Sequence, residues 1–201
     1  MHQIKVLHKT KRYTIFSLHY AQTNSNLRDV RFLLEKEAQD YFLEKVLGSH
    51  VRIRKLPSGR PVLDGSDKHI SISHSSDRFV VQLSSCANPG IDTEHFRPQL
   101  VRVAPKFLSE RERIVCEQND KLRLLCLHWS AKEAIYKSAD IAGLSFAHHI
   151  HIESIAFISE NEGYISALLN TPRIHCSYRL RFFLPSNDEA IVFVDQITEQ
   201  A

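Results

Sequence analysis

The sequence has little of what marks a secreted, zinc-binding or membrane protein. Its four cysteines are widely separated, and no C-x-x-C pair indicates a zinc or redox site. No apolar run is long enough to cross a membrane, and residues 1–5 lead into a segment without the apolar stretch of a signal peptide. We therefore expect a cytoplasmic protein whose cysteines are reduced core residues.

A strong imbalance of charge is also missing. The sequence contains 26 lysines and arginines and 23 aspartates and glutamates, which gives a formal net charge of +3. Nucleic-acid binding is therefore not indicated, although the short basic segments 9–12 and 52–55 are compatible with contacts to phosphate. Hydrophobic residues make up 43% and charged residues 24%, which is typical of a folded, soluble protein.

No internal repeat or low-complexity linker is visible, so the periodicity of apolar residues is the main structural signal. Helical spacing predicts a helix over 30–46, closed by Gly48, and another over 121–138. Ser109 and Glu112 form a capping-box pattern, which predicts that a further helix begins there. Alternation and turn residues predict strands over 13–20, 70–74, 79–83, 91–94, 174–184 and 190–194. The expected class is α+β.

Two carboxylates fall on one predicted strand. In the sequence Gly90-Ile91-Asp92-Thr93-Glu94, alternation places Asp92 and Glu94 on the same face. They would supply the hard oxygen ligands that Mg²⁺ prefers. The pattern is common, however, and two solvated carboxylates on an edge strand explain it equally well.

The predicted helix over 121–138 carries a more specific pattern. Trp129, Glu133 and Lys137 recur at intervals of four residues and therefore share one stripe of the helix. A surface ion pair beside a core tryptophan is the alternative explanation. Separately, His74 ends a predicted strand between Ser73 and Ser75, where hydroxyls and an imidazole could meet a phosphate oxygen.

The order of these motifs resembles the 4'-phosphopantetheinyl transferase superfamily. Two boxes are the most specific, G-I-D-x-E at 90–94 and W-S-x-K-E-A-x-x-K at 129–137, and their separation is also similar to that of the family. Weaker similarities are Gly59-Arg60-Pro61, the segment 71–75 and Phe107-Leu108-Ser109. The resemblance is strong from Leu56 to Ser145.

The length resembles that of the longer, surfactin-synthetase-activating type. That type implies a monomer of two similar α+β halves related by pseudo-twofold symmetry. The expected division is an N-terminal half, 1–88, that contacts the phosphates of coenzyme A, and a C-terminal half, 89–201, that carries the metal site and the transferase motifs.

The resemblance also implies a metal site and catalytic residues. Asp92, Glu94 and Glu133 would bind Mg²⁺, with Mn²⁺ as an alternative ion. Lys137 would contact the phosphate that is attacked, and Glu133, or a water near it, would accept the proton of the attacking serine.

Five further positions would bind coenzyme A on the same resemblance. His74, with Ser73, would bind phosphate, and Lys132 would line the cleft together with Lys137. Arg60, beside Pro61, matches the position that approaches the adenine and ribose phosphate. The family more often has lysine at position 60 and asparagine at position 71, and it usually has a lysine just before Gly143, so substrate preference could differ here.

The implied reaction moves the phosphopantetheine arm of coenzyme A to a serine of an apo carrier protein and releases adenosine 3',5'-bisphosphate. The expected partner is an acidic carrier domain that docks near Phe107, Leu108, Arg111 and Arg113; a capped helix whose Phe107 and Leu108 only pack in the core is the alternative. Two other functions stay open, a metal-dependent phosphohydrolase and an inactive carrier-binding homologue. Neither nucleic acid nor a membrane is expected as a partner.

Overall fold

The computed structural model describes residues 3–19, 28–117 and 120–199, with the backbone alone for 28–32. The chain folds as two compact units, Met1–Pro89 and Gly90–Ala201. Tyr20, which ends a predicted strand, and the predicted break at 24–26 lie outside the described residues.

The N-terminal unit is built on an antiparallel sheet. Its strands follow the order β1-β2-β6-β5, and β3 and β4 form a separate two-stranded ribbon. The strands are β1 (Ile4–Lys9), β2 (Tyr13–His19), β3 (Arg52–Lys55), β4 (Pro61–Asp64), β5 (His69–His74) and β6 (Arg78–Ser84).

One helix covers this sheet. Helix α1 (Arg28–Phe42) continues into a π-helical turn, Leu43–Leu47, and Gly48 ends it with a φ of 96°. Phe42 packs its ring on Phe16 and Phe79, at centroid distances of 5.3 and 6.3 Å. The apolar face that predicted the helix therefore supplies the core of this unit.

The C-terminal unit contains a larger antiparallel sheet of five strands in the order β7-β11-β10-β9-β8. Its strands are β7 (Ile91–His95), β8 (Ile150–Ser159), β9 (Glu162–Asn170), β10 (His175–Ser186) and β11 (Glu189–Glu199). Its helices are α2 (Gln99–Phe107), α3 (Glu110–Cys116), α4 (Lys121–Ala139) and α5 (Phe146–His149).

Helix α4 packs across β7 and β11 and forms the centre of this unit. Ala131, Ala134 and Ile135 are fully buried on its inner face, together with Leu180 and Val192 from the sheet. The α+β class is therefore confirmed, with antiparallel sheets and helices packed on them in each unit.

The predicted helices and strands within the described residues are present, with ends shifted by a few residues. The capping box is also present: the Ser109 side chain accepts from Glu112 N, and the Glu112 carboxylate accepts from Ser109 N. The sequence pattern did not predict the strands β1, β3, β4, β8 and β9 or the helices α2 and α5. Pro105 lies inside α2, and a proline at an interior position argues against a helix.

Candidate active site

Helix α4 presents the stripe of Trp129, Glu133 and Lys137 at its partly exposed edge. The helix has no freedom to turn about its axis, because its inner face is buried against the sheet. The spacing of four residues therefore places an aromatic ring, a carboxylate and an ammonium group in one row along the helix.

Strand β7 supplies the second part of the site. A Cβ at Gly90 would lie 2.0 Å from Ala134 O and 2.9 Å from the Ser138 Cβ, so only glycine allows the chain to pass this close to α4. Asp92 and Glu94 follow on the strand face that is shared with Val192 and Ala190 of β11. The predicted alternation on β7 thus directs both carboxylates to the side of the sheet on which α4 packs.

Direct contacts join the strand to the helix. Lys137 Nζ donates to Asp92 Oδ1 at 2.8 Å and to Ile91 O at 3.0 Å. The Asp92 side chain is only 9% exposed and that of Lys137 is 27% exposed, so solvent screens this pair less than a surface pair. The ammonium group of Lys137 therefore has a fixed position beside the carboxylates.

Glu94 has a different cation as its partner. Arg97 Nη2 donates to Glu94 Oε2 at 2.6 Å, and the backbone N–H of His95 donates to Glu94 Oε1 at 3.0 Å. Burial raises the pKa of Glu94. The charge of Arg97 and the hydrogen bond from the His95 N–H lower this pKa, and the charge of Asp92 raises it. Glu94 is therefore held in place but remains electrostatically linked to Asp92.

Glu133 is the most perturbed acid of this group. The pKa of Glu133 is raised to about 7: burial is the largest cause, the charges of Asp92 and Glu94 also raise the pKa, and the charge of Lys137 lowers it. A carboxyl group that feels two other carboxylates in this way lies close to both. The charges of Asp92 and Glu94 thus act on Glu133, and the metal-binding role of the three acids stays a prediction.

The side-chain chemistry of these three residues suits a divalent cation. Their donors are carboxylate oxygens, which Mg²⁺ and Mn²⁺ accept as ligands. Burial is the main cause of the raised pKa of Glu133, and the charges of Asp92 and Glu94 act in the same direction, against that of Lys137. A cation bound among the three carboxylates would lower this pKa and keep Glu133 ionised at neutral pH.

A cavity of about 530 Å³ opens beside Glu133. Its walls are mostly apolar, and Arg97 and Lys106 add positive charge. Trp129 is one wall, with its ring 5.2 Å from that of Phe107 and 5.8 Å from that of Phe146. The other lining residues are Gln99, Leu100, Val103, Leu144 and Ser145. The space suits a ligand with a long, largely uncharged portion that ends near the carboxylates.

A comparison with protein families gives a match that includes all of the site residues named above. The family model described as the 4'-phosphopantetheinyl transferase superfamily matches residues 88–194, which is more than half of the chain. The chain belongs to this superfamily. Its members transfer the phosphopantetheine arm of coenzyme A, typically with a divalent metal. No curated protein is similar enough to the chain to count as a match.

Lys132 of this transferase lies elsewhere than predicted. Its side chain is completely buried, and its Nζ donates to Glu112 and to the backbone oxygens of Phe107, Phe146 and Ile150. It is not among the lining residues of the cavity beside Glu133. Adjacent helical residues point about 100° apart, so a neighbour of Glu133 faces the interior. The prediction that Lys132 lines the cleft needs this correction.

Arg60 and Pro61 lie in the N-terminal unit of the transferase. Both residues line a cavity of about 310 Å³ that is bordered by β4 and by the loop leading to β5. Arg60 Nη2 donates to Asn88 Oδ1 at 3.1 Å. The guanidinium of Arg60 is thus available at a concave surface of this unit, and its role toward coenzyme A stays a prediction.

Ser73 and His74 lie at the end of β5, also in the N-terminal unit. Ser73 is 7% exposed, whereas the side chain of His74 is 42% exposed. His74 Nδ1 lies 3.0 Å from Glu35 Oε1, a carboxylate of α1 that sequence reasoning did not associate with this histidine. The role of His74 toward phosphate stays a prediction.

The predicted docking residues divide into two groups. Phe107 and Leu108 are 1% and 4% exposed, so they pack in the core as the alternative interpretation proposed. Arg111 and Arg113 are exposed on α3, and the same helix exposes Ile114 at 58% and Val115 at 44%. The exposed apolar surface of this region therefore follows α3 and not the residues before it.

Sequence reasoning missed several residues of the site. Arg97 contacts Glu94. The sequence contained a signal for this contact, because the two residues are only three positions apart on a short loop. Leu144, Ser145 and Phe146 line the cavity, whereas the resemblance concerned only the position just before Gly143 in this segment. Their position depends on how the chain returns from α4 to β8, which local periodicity does not specify.

Two further findings concern the expectations from composition. All four cysteines are unpaired; Cys116, Cys126 and Cys176 are buried, but Cys86 is exposed and is not a core residue. None of the helices in the described ranges combines the length and the apolar character needed to cross a lipid bilayer.

Proposed function

We propose that this chain moves the phosphopantetheine arm of coenzyme A to a serine of an apo carrier protein, giving a holo carrier protein and adenosine 3',5'-bisphosphate. The observation that carries this proposal is the cluster of Asp92, Glu94 and Glu133 with Lys137 beside it. Family membership supports the general activity, and the geometry of the cluster supports an intact site.

Each residue of the cluster has a proposed role. Asp92, Glu94 and Glu133 would hold Mg²⁺ or Mn²⁺, which supplies positive charge to the pyrophosphate of coenzyme A. Lys137 donates hydrogen bonds to the phosphate that is attacked and stabilises the negative charge on its oxygens. Its contact with Asp92 keeps the ammonium in the correct place before substrate binds.

Glu133 is the proposed base. The serine hydroxyl of the carrier forms the new P–O bond, the bond from this phosphorus to adenosine 3',5'-bisphosphate breaks, and the serine proton must leave. A pKa of about 7 lets Glu133 accept a proton near neutral pH. A metal-bound water near Glu133 would be the alternative base.

The cavity beside Glu133 is the proposed site for the arm of coenzyme A. Phosphopantetheine is a long chain with few charges, and the walls formed by Trp129, Phe107 and Phe146 match it. We also propose that Arg60, Pro61, Ser73 and His74 bind the nucleotide and its phosphates.

The acceptor is proposed to be an acidic carrier domain that docks on α3. Exposed Ile114 and Val115 would meet apolar side chains of the carrier, and exposed Arg111 and Arg113 would attract its acidic groups. Exposed Arg102 and Lys106 on α2 add positive charge to the same unit.

The subtype proposed is the longer, surfactin-synthetase-activating one, acting as a cytoplasmic monomer. The family match covers residues 88–194, and a compact unit of 89 residues precedes most of it. An added unit of this size supports the longer type. The unpaired, exposed Cys86 is consistent with a reducing compartment.

The test is an intact-mass measurement on apo carrier proteins. Each carrier is incubated with coenzyme A, Mg²⁺ and the protein, and we expect a gain equal to one phosphopantetheine group. The gain should disappear with Glu133→Gln and remain with Glu110→Gln, which changes an exposed carboxylate of α3. No gain with any carrier in a broad panel would refute the proposal, and release of phosphate without carrier would indicate a hydrolase.

A further inference from the structure

A buried ion pair lies directly behind the cavity. Lys132 Nζ is 2.8 Å from Glu112 Oε2, and the two side chains are 0% and 3% exposed. A buried pair of this kind adds little stability compared with apolar residues of equal volume, because desolvation offsets the attraction. The contacts that the pair makes with the backbone are therefore more informative than its strength.

Lys132 uses its ammonium group to hold three separate segments. It donates to Phe107 O at 2.8 Å, to Phe146 O at 2.9 Å and to Ile150 O at 2.7 Å. These oxygens belong to the last residue of α2, the first residue of α5 and the first residue of β8. One side chain on α4 thus fixes three points where the chain changes direction.

Glu112 completes the arrangement with its two oxygens. Oε2 accepts from the Ser109 N–H at 2.7 Å, and Oε1 accepts from the Ile152 N–H, also at 2.7 Å. Together the two side chains bind backbone groups of α2, α3, α5 and β8. The capping box at Ser109 is one part of this larger network.

Two of the fixed backbone points carry walls of the cavity. The rings of Phe107 and Phe146 lie on the Trp129 ring, at 5.2 and 5.8 Å between centroids. Helix α5 has only four residues and lacks a side-chain cap from Ser145, so it has little stability of its own. The hydrogen bond from Lys132 therefore holds the backbone of Phe146, while the rings of Trp129 and Tyr136 contact its side chain.

We propose that Glu112 and Lys132 are positioning residues that set the width of the cavity by fixing Phe107 and Phe146 on the two sides of Trp129. This inference rests on the proposed function for its kinetic consequences only. The pair then governs how well the arm of coenzyme A is held beside Glu133. It takes no part in proton transfer or in metal binding.

The kinetic signature of such a role is a change in binding with little change in chemistry. Loosening the cavity should raise KM for coenzyme A about tenfold and change kcat less than about threefold. Affinity for adenosine 3',5'-bisphosphate, which lacks the arm, should stay the same. A variant that is only less stable would not bind coenzyme A more weakly while it binds adenosine 3',5'-bisphosphate as well as the wild type does.

The experiment compares Lys132→Met, Glu112→Gln and the double variant Glu112→Leu/Lys132→Met with the control Glu110→Gln. Trp129 is the single tryptophan of the chain, so its quenching by acrylamide reports on the cavity directly. We expect quenching to increase about twofold or more in the first three variants and to stay unchanged in the control. Far-UV circular dichroism establishes which variants are folded.

The result that overturns the proposal is a folded variant with normal quenching and normal KM for coenzyme A, even if its melting temperature is lower. If both single variants fail to fold, the double variant decides, because it leaves no buried unpaired charge. If the wild-type protein transfers no arm to any carrier, the proposed function fails, but the quenching comparison still decides whether the pair positions the cavity.

Discussion

The proposed catalytic role of Glu133 and its burial in the folded chain favour opposite charge states of its side chain. Burial, Asp92 and Glu94 raise its pKa to about 7 from an ordinary value of 4.5. The folded protein thus prefers the protonated acid, whereas the proposed reaction needs the carboxylate. A residue with opposite requirements in folding and function should reveal itself in stability measurements without metal.

The first prediction concerns the pH dependence of stability in EDTA. A raised pKa means that the contribution of Glu133 is fully present below pH 4.5 and is lost as pH rises through about 7. Between these values the free energy of unfolding of the wild type should fall by about 1–3 kcal/mol relative to Glu133→Gln. Urea denaturation at several pH values measures this difference, and parallel curves for the two proteins would contradict it.

The second prediction concerns metal binding to the same residue. At pH 8, Mg²⁺ should raise the melting temperature of the wild type, because it relieves the repulsion among Asp92, Glu94 and Glu133. The increase should be much smaller in Glu133→Gln and unchanged in Glu110→Gln. Equal stabilisation of all three proteins would place the metal outside the cluster.

The third prediction concerns Lys137. Replacing it with methionine removes the ammonium that contacts Asp92 and Ile91 O, and it should reduce kcat about 10²- to 10³-fold. Lys137→Arg keeps the charge with another geometry and should recover part of the rate. Single-turnover transfer to an apo carrier measures the chemical step, and a change confined to KM would contradict the proposed contact with the attacked phosphate.

At the scale of elements, the site depends on how closely β7 passes α4. Gly90 permits this approach, since a Cβ there would lie 2.0 Å from Ala134 O. The fourth prediction is that Gly90→Ala separates the strand from the helix, lowers stability by about 2–4 kcal/mol and reduces transfer by displacing Asp92. Chemical denaturation and transfer assays measure the two effects.

A second substitution tests the stated cause of that effect. Ser138→Gly removes the Cβ that lies 2.9 Å from the added methyl group but leaves Ala134 O in place. The double variant Gly90→Ala/Ser138→Gly should therefore not recover stability. Full recovery would show that the serine side chain, and not the helix backbone, limits the space at position 90.

The same elements show what a sequence can predict. The stripe on α4 and the alternation on β7 are local periodicities, so the meeting of Glu133 with Asp92 and Glu94 was predicted from motif spacing. Lys132 was misplaced because a charged residue beside a catalytic motif suggests a substrate contact. Only the tertiary packing around Glu112 shows that this ammonium is enclosed.

Loops and short helices were the least predictable part. Helix α2 has helical spacing at Leu100, Ala104 and Phe107, but Pro105 inside it argues against a helix, and α5 has only four residues, too few for a periodic pattern. These two helices nevertheless supply much of the cavity beside Glu133. The ligand-binding walls therefore depend on connections, whereas the carboxylate cluster depends on regular elements.

At the scale of the whole molecule, the proposed reaction requires a second protein. The carrier must bring its serine to Glu133, and the C-terminal unit offers the exposed helix α3 for this purpose. On α3, Arg111 and Arg113 carry positive charge beside exposed Ile114 and Val115. A charged rim around an apolar contact mainly controls the rate of association and its salt dependence.

The fifth prediction therefore separates the two substrates. The double variant Arg111→Glu/Arg113→Glu should raise KM for an acidic carrier about tenfold or more and leave KM for coenzyme A unchanged. Rising ionic strength should weaken carrier binding to the wild type more than to the variant, because the variant has lost the attraction that salt screens. The charge-matched control Lys5→Glu/Lys9→Glu changes β1 of the N-terminal unit and should have no such effect. Equal sensitivity of both variants to salt would mean that the net charge of the protein attracts the carrier, and that α3 is not its docking site.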